Sequence, residues 1–212
     1  MDNLSLTSLM KASINNHLEI VRLLLTFGGN PRIVTVNGES SLTLACMQEN
    51  TEICERLIIA HADVNEMDGH KRTPLLKAAR HNSGNEILQL LLKNGAKPDI
   101  ADEEGNTPLH FAAMRGTQDV AKFLMNLGAN PYARNNQDLV PYEVATREDV
   151  KPYFAVCPLC FKPGALFCNN CGVIMYCNVE CQKKDYYRHK PICISFQKRK
   201  QGQKSGSKGA QH

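Results

Sequence analysis

Tryptophan is absent from the 212-residue chain, and aromatic residues make up only 6% of it. Stacking surfaces are therefore sparse, and a core has to be built mainly from Leu, Ile, Val and Ala. No apolar run approaches the ~20 residues that a membrane helix needs, and no basic-then-apolar start reads as a signal peptide. The expectation is a soluble chain in a reducing compartment, the cytoplasm, with the nucleus as alternative. Cysteine is scarce over most of the length: of nine, only Cys46 and Cys54 precede Cys157. Disulfides are the exception in a reducing compartment, and an odd count does not suit a framework of bridges. Acidic residues are missing after Asp185. The hydrophobic share of 42% nonetheless supports a core and excludes a wholly disordered chain.

Charge and cysteine divide the chain in the same place. Residues 1–154 carry 15 Lys and Arg against 19 Asp and Glu, residues 155–193 carry 5 against 2, and residues 194–212 carry 5 against none. The overall +4 conceals an acidic body and a basic tail, so a nucleic-acid-binding body is not expected.

That body repeats. Thr7-Ser-Leu-Met-Lys-Ala12, Ser40-Ser-Leu-Thr-Leu-Ala45, Thr73-Pro-Leu-Leu-Lys-Ala78 and Thr107-Pro-Leu-His-Phe-Ala112 recur at steps of 33, 33 and 34. An amphipathic run follows each (Ile20–Leu25, Ile53–Ile58, Ile87–Leu92, Val120–Met125), then a turn at Gly28–Asn30, His61–Asp63, Gly95–Lys97 and Gly128–Asn130. One extra residue around Asn82-Ser83-Gly84 accounts for the longer step. The Thr hydroxyl can cap a helix, and the next proline fits the first helical position, where no amide is missed. The apolar runs form a face that no single unit can bury, so units must stack.

These features resemble ankyrin repeats, over residues 4–154. The expected fold class is mainly α: an ankyrin-repeat solenoid of four repeats (4–36, 37–69, 70–103, 104–136) with a partial C-terminal cap (137–154), followed by a small zinc-stabilised finger. Only the fourth copy keeps the family's histidine, His110. Arg56 stands where the second helix usually has Leu, which marks the second repeat as the weakest. His17 and His110 occupy structural positions, His61, His70 and His81 fall in turns without metal-ligand spacing, and Cys46 and Cys54 read as core residues. No nucleophile–base pairing is found, so the expectation is a binding protein and not an enzyme.

By the ankyrin resemblance, partners lie across the fingers and the concave row of first helices. The variable positions there are Lys11, Leu44, Lys77 and Phe111, then Ile14, Met47, Arg80 and Met114. Leu44, Met47, Phe111 and Met114 are unusually apolar for exposed positions, with Lys77 and Arg80 between them. Such a strip suits a peptide carrying an acidic residue. The alternative is that these side chains pack against their own fingers or the C-terminal module.

The cysteine-dense end reads Cys157-x2-Cys160-x7-Cys168-x2-Cys171-x5-Cys177-x3-Cys181-x7-His189-x3-Cys193. Eight ligands make two tetrahedral sites. Zinc favours thiolate and imidazole, and a closed four-ligand site is structural. Cys177/Cys181 and His189/Cys193 are i, i+4 pairs, which share one face of a helix. Fewer than 40 residues with few large hydrophobes draw their folding energy from the metal. Spacing alone allows cross-braced or sequential sites.

Residues 157–193 resemble the MYND zinc finger in the string from Tyr176 to Cys193, with its Tyr-Cys, Cys-Gln, Asp and His-Lys landmarks. The resemblance implies cross-bracing: Cys157, Cys160, Cys177 and Cys181 around one zinc, and Cys168, Cys171, His189 and Cys193 around the other. MYND fingers bind proline-containing peptides, and the groove positions map to Val179, Gln182 and Tyr186, with Tyr replacing the usual Trp. The gaps, and His in seventh place, do not fit RING fingers.

The combination resembles the ankyrin-repeat and MYND-domain proteins. The reading is a non-enzymatic, monomeric adaptor whose stack holds one protein and whose finger holds a proline-containing peptide of another. Alternatives are a nuclear corepressor-type adaptor and a ubiquitin-ligase accessory; ciliary trafficking of signalling proteins is a weaker family-based option. Residues 195–212, rich in Gln, Gly, Ser and Lys, are expected to be a disordered basic tail. Lys198-Arg-Lys200 with Lys204 and Lys208 could serve as a nuclear signal, but a solubilising role is expected.

Overall fold

The computed structural model describes residues 6–81, 85–148, 154, 166–167, 175–176 and 183. Two units divide the chain, 1–150 and 151–212.

In the first unit the phased sequence copies become helix pairs: α1 (Ser8–Ile14) with α2 (Leu18–Thr26), α3 (Ser41–Met47) with α4 (Thr51–Ile59), α5 (Pro74–His81) with α6 (Asn85–Lys93), and α7 (Pro108–Arg115) with α8 (Gln118–Asn126). A single turn, α9 (Pro141–Val144), follows. The inter-helix residues 82–84 lie outside the described residues. First helices pack in the order α1, α3, α5, α7, α9, and second helices in the order α2, α4, α6, α8. The core lies between these rows, where Leu42, Leu75, Leu109, Ile53, Leu57, Ile87 and Leu91 are fully buried.

Helix starts follow from the cap residues. Thr7 Oγ1 accepts from Met10 N at 3.2 Å, Ser40 Oγ from Thr43 N at 3.2 Å, and Thr73 Oγ1 from Leu76 N at 3.3 Å. Thr107 uses its neighbour His110 instead. Thr107 N donates to His110 Nδ1 at 3.2 Å, which places the ring proton on Nε2, 3.0 Å from the Leu139 carbonyl it donates to. Burial, against the pull of the Leu139 carbonyl and Asp102, lowers the His110 pKa and favours the neutral ring.

Between repeats, the turns carry rungs of side chain to main chain. Arg32 Nε donates to His61 O at 2.9 Å. Asn65 donates to Gly95 O at 3.0 Å and accepts from Lys97 N at 2.9 Å. Asp99 Oδ1 accepts from Asn130 N at 2.8 Å. The fingers stack more closely still: Gly69 N donates to Asn37 O at 2.8 Å, and a Cβ on Gly38 (φ +78) would lie 2.9 Å from the Asp68 Cα. Only glycine fits there.

The second repeat is the least satisfied. Ser41 Oγ and Arg56 Nε are buried without a hydrogen-bond partner among the described residues, a cost of about 1–3 kcal/mol each. His61 takes φ 65 where Gly28, Gly95 and Gly128 stand in the sister repeats. Ser41 occupies the position that holds Pro74, Pro108 and Pro141 elsewhere, and Ser40 before it is already extended (φ -89, ψ 165) as a residue preceding proline must be. Ser41→Pro is expected to stabilise the chain by about 0.5–1 kcal/mol, read as a higher midpoint in urea melts followed by circular dichroism. A lower midpoint would show that the hydroxyl is satisfied.

In the second unit the described residues include a two-stranded antiparallel ladder, β1 (Leu166–Phe167) and β2 (Met175–Tyr176), with Leu166 opposite Tyr176 and Phe167 opposite Met175.

Candidate functional site

The row of first helices expected to face a partner is only partly open. Leu44, Lys77 and Phe111 are buried (9%, 3% and 8% exposed), whereas Lys11 is exposed and Ile14, Met47, Arg80 and Met114 are half-buried. An exposed strip through Leu44, Lys77 and Phe111 is therefore not present, and the fingers explain why. Lys77 Nζ lies 3.0 Å from Asp68 Oδ2 and also pairs with Glu39. Arg72 NH2 contacts Asp68 Oδ2 at 2.9 Å, and Asp68 Oδ1 accepts from His70 N and Arg72 N, each at 2.9 Å. Two cations and two carboxylates thus form a neutral clamp between finger and helix. Burial alone would raise the Asp68 pKa. Hydrogen bonds from Arg72 N–H, the Lys77 ammonium and His70 N–H outweigh it and hold the carboxyl below its ordinary value. Lys77 is therefore a structural cation and is not available to an acidic ligand.

Arg80 behaves differently. Its guanidinium sits 5.6 Å from the centroid of the Phe111 ring, a cation–π geometry. It has no carboxylate partner among the described residues. His81 and Arg115 are exposed beside it. His81 closes α5 and does not lie in a turn as expected. Burial first, then the repulsion of Arg80 and Arg115, lowers the His81 pKa, so this edge carries a positive field. Met47 and Met114 occupy the equivalent positions on the neighbouring first helices α3 and α7.

Sequence reasoning passed over the finger tips. Ile33 (44%), Val36 (69%) and Met67 (46%) stay exposed on the fingers after α2 and α4. The available signal was their chemistry: Asn136, at the position of Val36 in the last finger, is polar. On the side of the second helices, a cavity of ≈ 280 Å³ opens between α6 and α8, lined by Leu92, Ala96, Pro98, Phe123 and Leu127 with Gln89 and Lys93. That wall holds no Ser, Thr, Cys, His, Asp or Glu side chain. Among the described residues no three His, Cys, Asp or Glu side chains gather as a metal site, and no helix is long and apolar enough to cross a membrane.

The finger residues Cys157, Cys160, Cys168, Cys171, Cys177, Cys181, His189 and Cys193, and the groove positions Val179, Gln182 and Tyr186, lie outside the described residues.

Comparison with known proteins agrees with both modules. The family model for ankyrin repeats matches residues 1–68 and 42–135, and that for the MYND finger matches residues 157–193. The putative ankyrin repeat protein YahD of Escherichia coli is 34% identical over 134 residues, which is 60% of this chain and 66% of that protein. The human transient receptor potential cation channel subfamily A member 1 is 31% identical over 157 residues, 69% of this chain and 14% of the channel. The ankyrin repeat and KH domain-containing protein mask-1 of Caenorhabditis elegans is 30% identical over 139 residues, 63% of this chain and 5% of that protein. The chain thus spans less than two thirds of each of these relatives. Ankyrin repeats and MYND fingers are protein-interaction modules, typically non-catalytic, and a MYND finger implies bound zinc. With one family model covering more than half its length and the other its cysteine-rich end, the chain belongs to the ankyrin-repeat proteins that carry a MYND-type zinc finger.

Proposed function

We propose that the chain is a non-enzymatic adaptor. Its stack takes an extended peptide with an acidic residue, and its finger takes a proline-containing peptide from a second protein. The observation that carries the first half is Arg80, seated on Phe111 between Met47 and Met114 without a carboxylate of its own among the described residues. A cation already held in place by a ring loses little freedom on binding, and Met side chains adapt to varied apolar neighbours. Arg115 extends the positive edge, and Val36 and Met67 offer apolar contact on the fingers of the same unit.

For the finger, the donor chemistry of seven thiolates and one imidazole fits two closed zinc sites. The cross-braced pairing draws its support from the match to the MYND finger over residues 157–193. Gln182, Tyr186 and Val179 would then line the peptide groove. The zinc ions hold the fold together, and the chain's side chains make the contacts.

A peptide array carrying acidic and proline-containing sequences, probed with the full zinc-loaded chain, tests the reading. Arg80→Glu should weaken acidic ligands by about 30-fold, as expected for a buried-edge anchor worth about 2 kcal/mol, and leave proline ligands unchanged. Gln182→Ala should do the reverse. Binding of neither class, or equal losses from both variants, would overturn the two-site adaptor.

A further inference from the structure

We propose that Cys46 and Cys54 form a reversible modification site, a dithiol inside the second repeat that closes to a disulfide by exchange with a small disulfide of the glutathione class. Neither residue belongs to the zinc-ligand series, and no part of the adaptor reading uses them. Their sulfurs lie 3.6 Å apart, and both side chains are fully buried. They project toward each other from α3 and α4, the two helices of one repeat. A disulfide needs an S–S separation of about 2.05 Å. Closure therefore asks for a small approach of groups already in contact, not a new arrangement of the helix pair.

Access is what controls the reaction. In the closed repeat no oxidant reaches these thiols. The hydrogen bond that the Cys46 thiol donates to Cys54 Sγ, burial and the neighbouring sulfur also raise the Cys46 pKa, so little thiolate is present. The repeat that holds them is, however, the one with buried Ser41 Oγ and Arg56 Nε unpartnered among the described residues. It also holds Glu49 (φ 58) and His61 (φ 65) in left-handed backbone. A stack opens by units, and units with the poorest internal energy open most often.

In the opened repeat one cysteine, as thiolate, attacks a sulfur of the small disulfide and expels one small thiolate. The other cysteine, deprotonated in turn, attacks the protein sulfur of that mixed disulfide and expels the second. The protein pair loses two electrons, the small disulfide gains them, and the two thiol protons end on two small thiols. The product ties α3 to α4 and holds the repeat that carries Leu44 and Met47.

Trypsin isolates the pair, because residues 33–56 lie between Arg32 and Arg56 with no other Lys, Arg or cysteine among them. The zinc-loaded chain would be equilibrated across ratios of oxidised to reduced glutathione, alkylated after denaturation, and digested. The expected result is peptide 33–56 lighter by two hydrogens, resistant to alkylation and restored by reductant. Amide exchange in α3 and α4 should be at least about tenfold slower in the oxidised form. Arg56→Leu, which removes a buried unpartnered atom, should slow oxidation several-fold. Cys54→Ala should leave a glutathione adduct on Cys46 that does not resolve. Free thiols at every ratio, a lasting adduct on the wild-type peptide, or an Arg56→Leu rate equal to wild type would overturn the proposal; the last result does not depend on whether Cys54→Ala folds.

Discussion

Removal of metal is expected to unfold residues 157–193 while the helix stack keeps its circular-dichroism signal. Structural zinc contributes on the order of 10–16 kcal/mol of apparent binding energy in small fingers, far more than a segment of this size gains from its apolar residues. Native mass spectrometry should find two zinc ions per chain. Cys177→Ser should lose metal and the amide protection of the finger, with the midpoint of the stack unchanged within about 0.5 kcal/mol. Because thiolates and neutral imidazole are the ligands, acid should release the metal. One ion, or none, with a folded finger would sink the two-site reading. Loss of the helix signal together with the finger would show that the two units stand or fall as one.

The second large effect is expected at Asp68. Its side chain is almost wholly buried (1% exposed) and is shared by Lys77 and Arg72. Asp68→Asn leaves the Lys77 ammonium, itself 4% exposed, with Glu39 alone. Breaking a buried pair from one side costs about 3–5 kcal/mol, or a drop in melting temperature of roughly 10 °C for a unit of this size. Lys77→Met should cost less, since Asp68 keeps Arg72 and two backbone N–H donors. That asymmetry, and not either value alone, identifies the clamp. The pH dependence has a definite sign. The folded carboxyl lies below its ordinary value of 3.8, so its contribution is complete above that value and is lost as pH falls through the lower folded one. Acid unfolding of the wild type should contain a component below about pH 4 that Asp68→Asn lacks. Losses under 1 kcal/mol for both variants would mean that the cluster is solvated.

Period was legible in the sequence because it is carried by local chemistry. A capping Thr or Ser, a small Ala and a Leu-rich run each act within one repeat, so their recurrence marks the helix pairs α1 to α8. Burial of the concave row was not legible. Whether Lys77 is free depends on Glu39, 38 residues away, and on Asp68 in the next finger, and no local pattern announces that pairing. Phe111 looked available to a partner because the cation that covers it, Arg80, lies on the preceding first helix. Arg56 is the instructive intermediate case. Its departure from a Leu position marked the second repeat as weak, and its Nε is indeed buried without a partner among the described residues.

The rungs between turns carry a consequence for how such a chain can change length. Arg32, Asn65 and Asp99 each read main-chain groups of the following turn, at sequence separations of 29 to 32 residues, and none reads a side chain there. If one whole repeat were excised, the turn of Asn65 would meet the turn at Gly128–Asn130, which offers the same carbonyl and amide as Gly95–Lys97. Duplicating a repeat would preserve every rung for the same reason. The single extra residue around Asn82-Ser83-Gly84 separates Asn65 from Gly95, and that rung is intact at a separation of 30, against 29 for Arg32 and His61. Gain and loss of complete units is therefore a step by which this architecture can be lengthened or shortened without redesigning its joints.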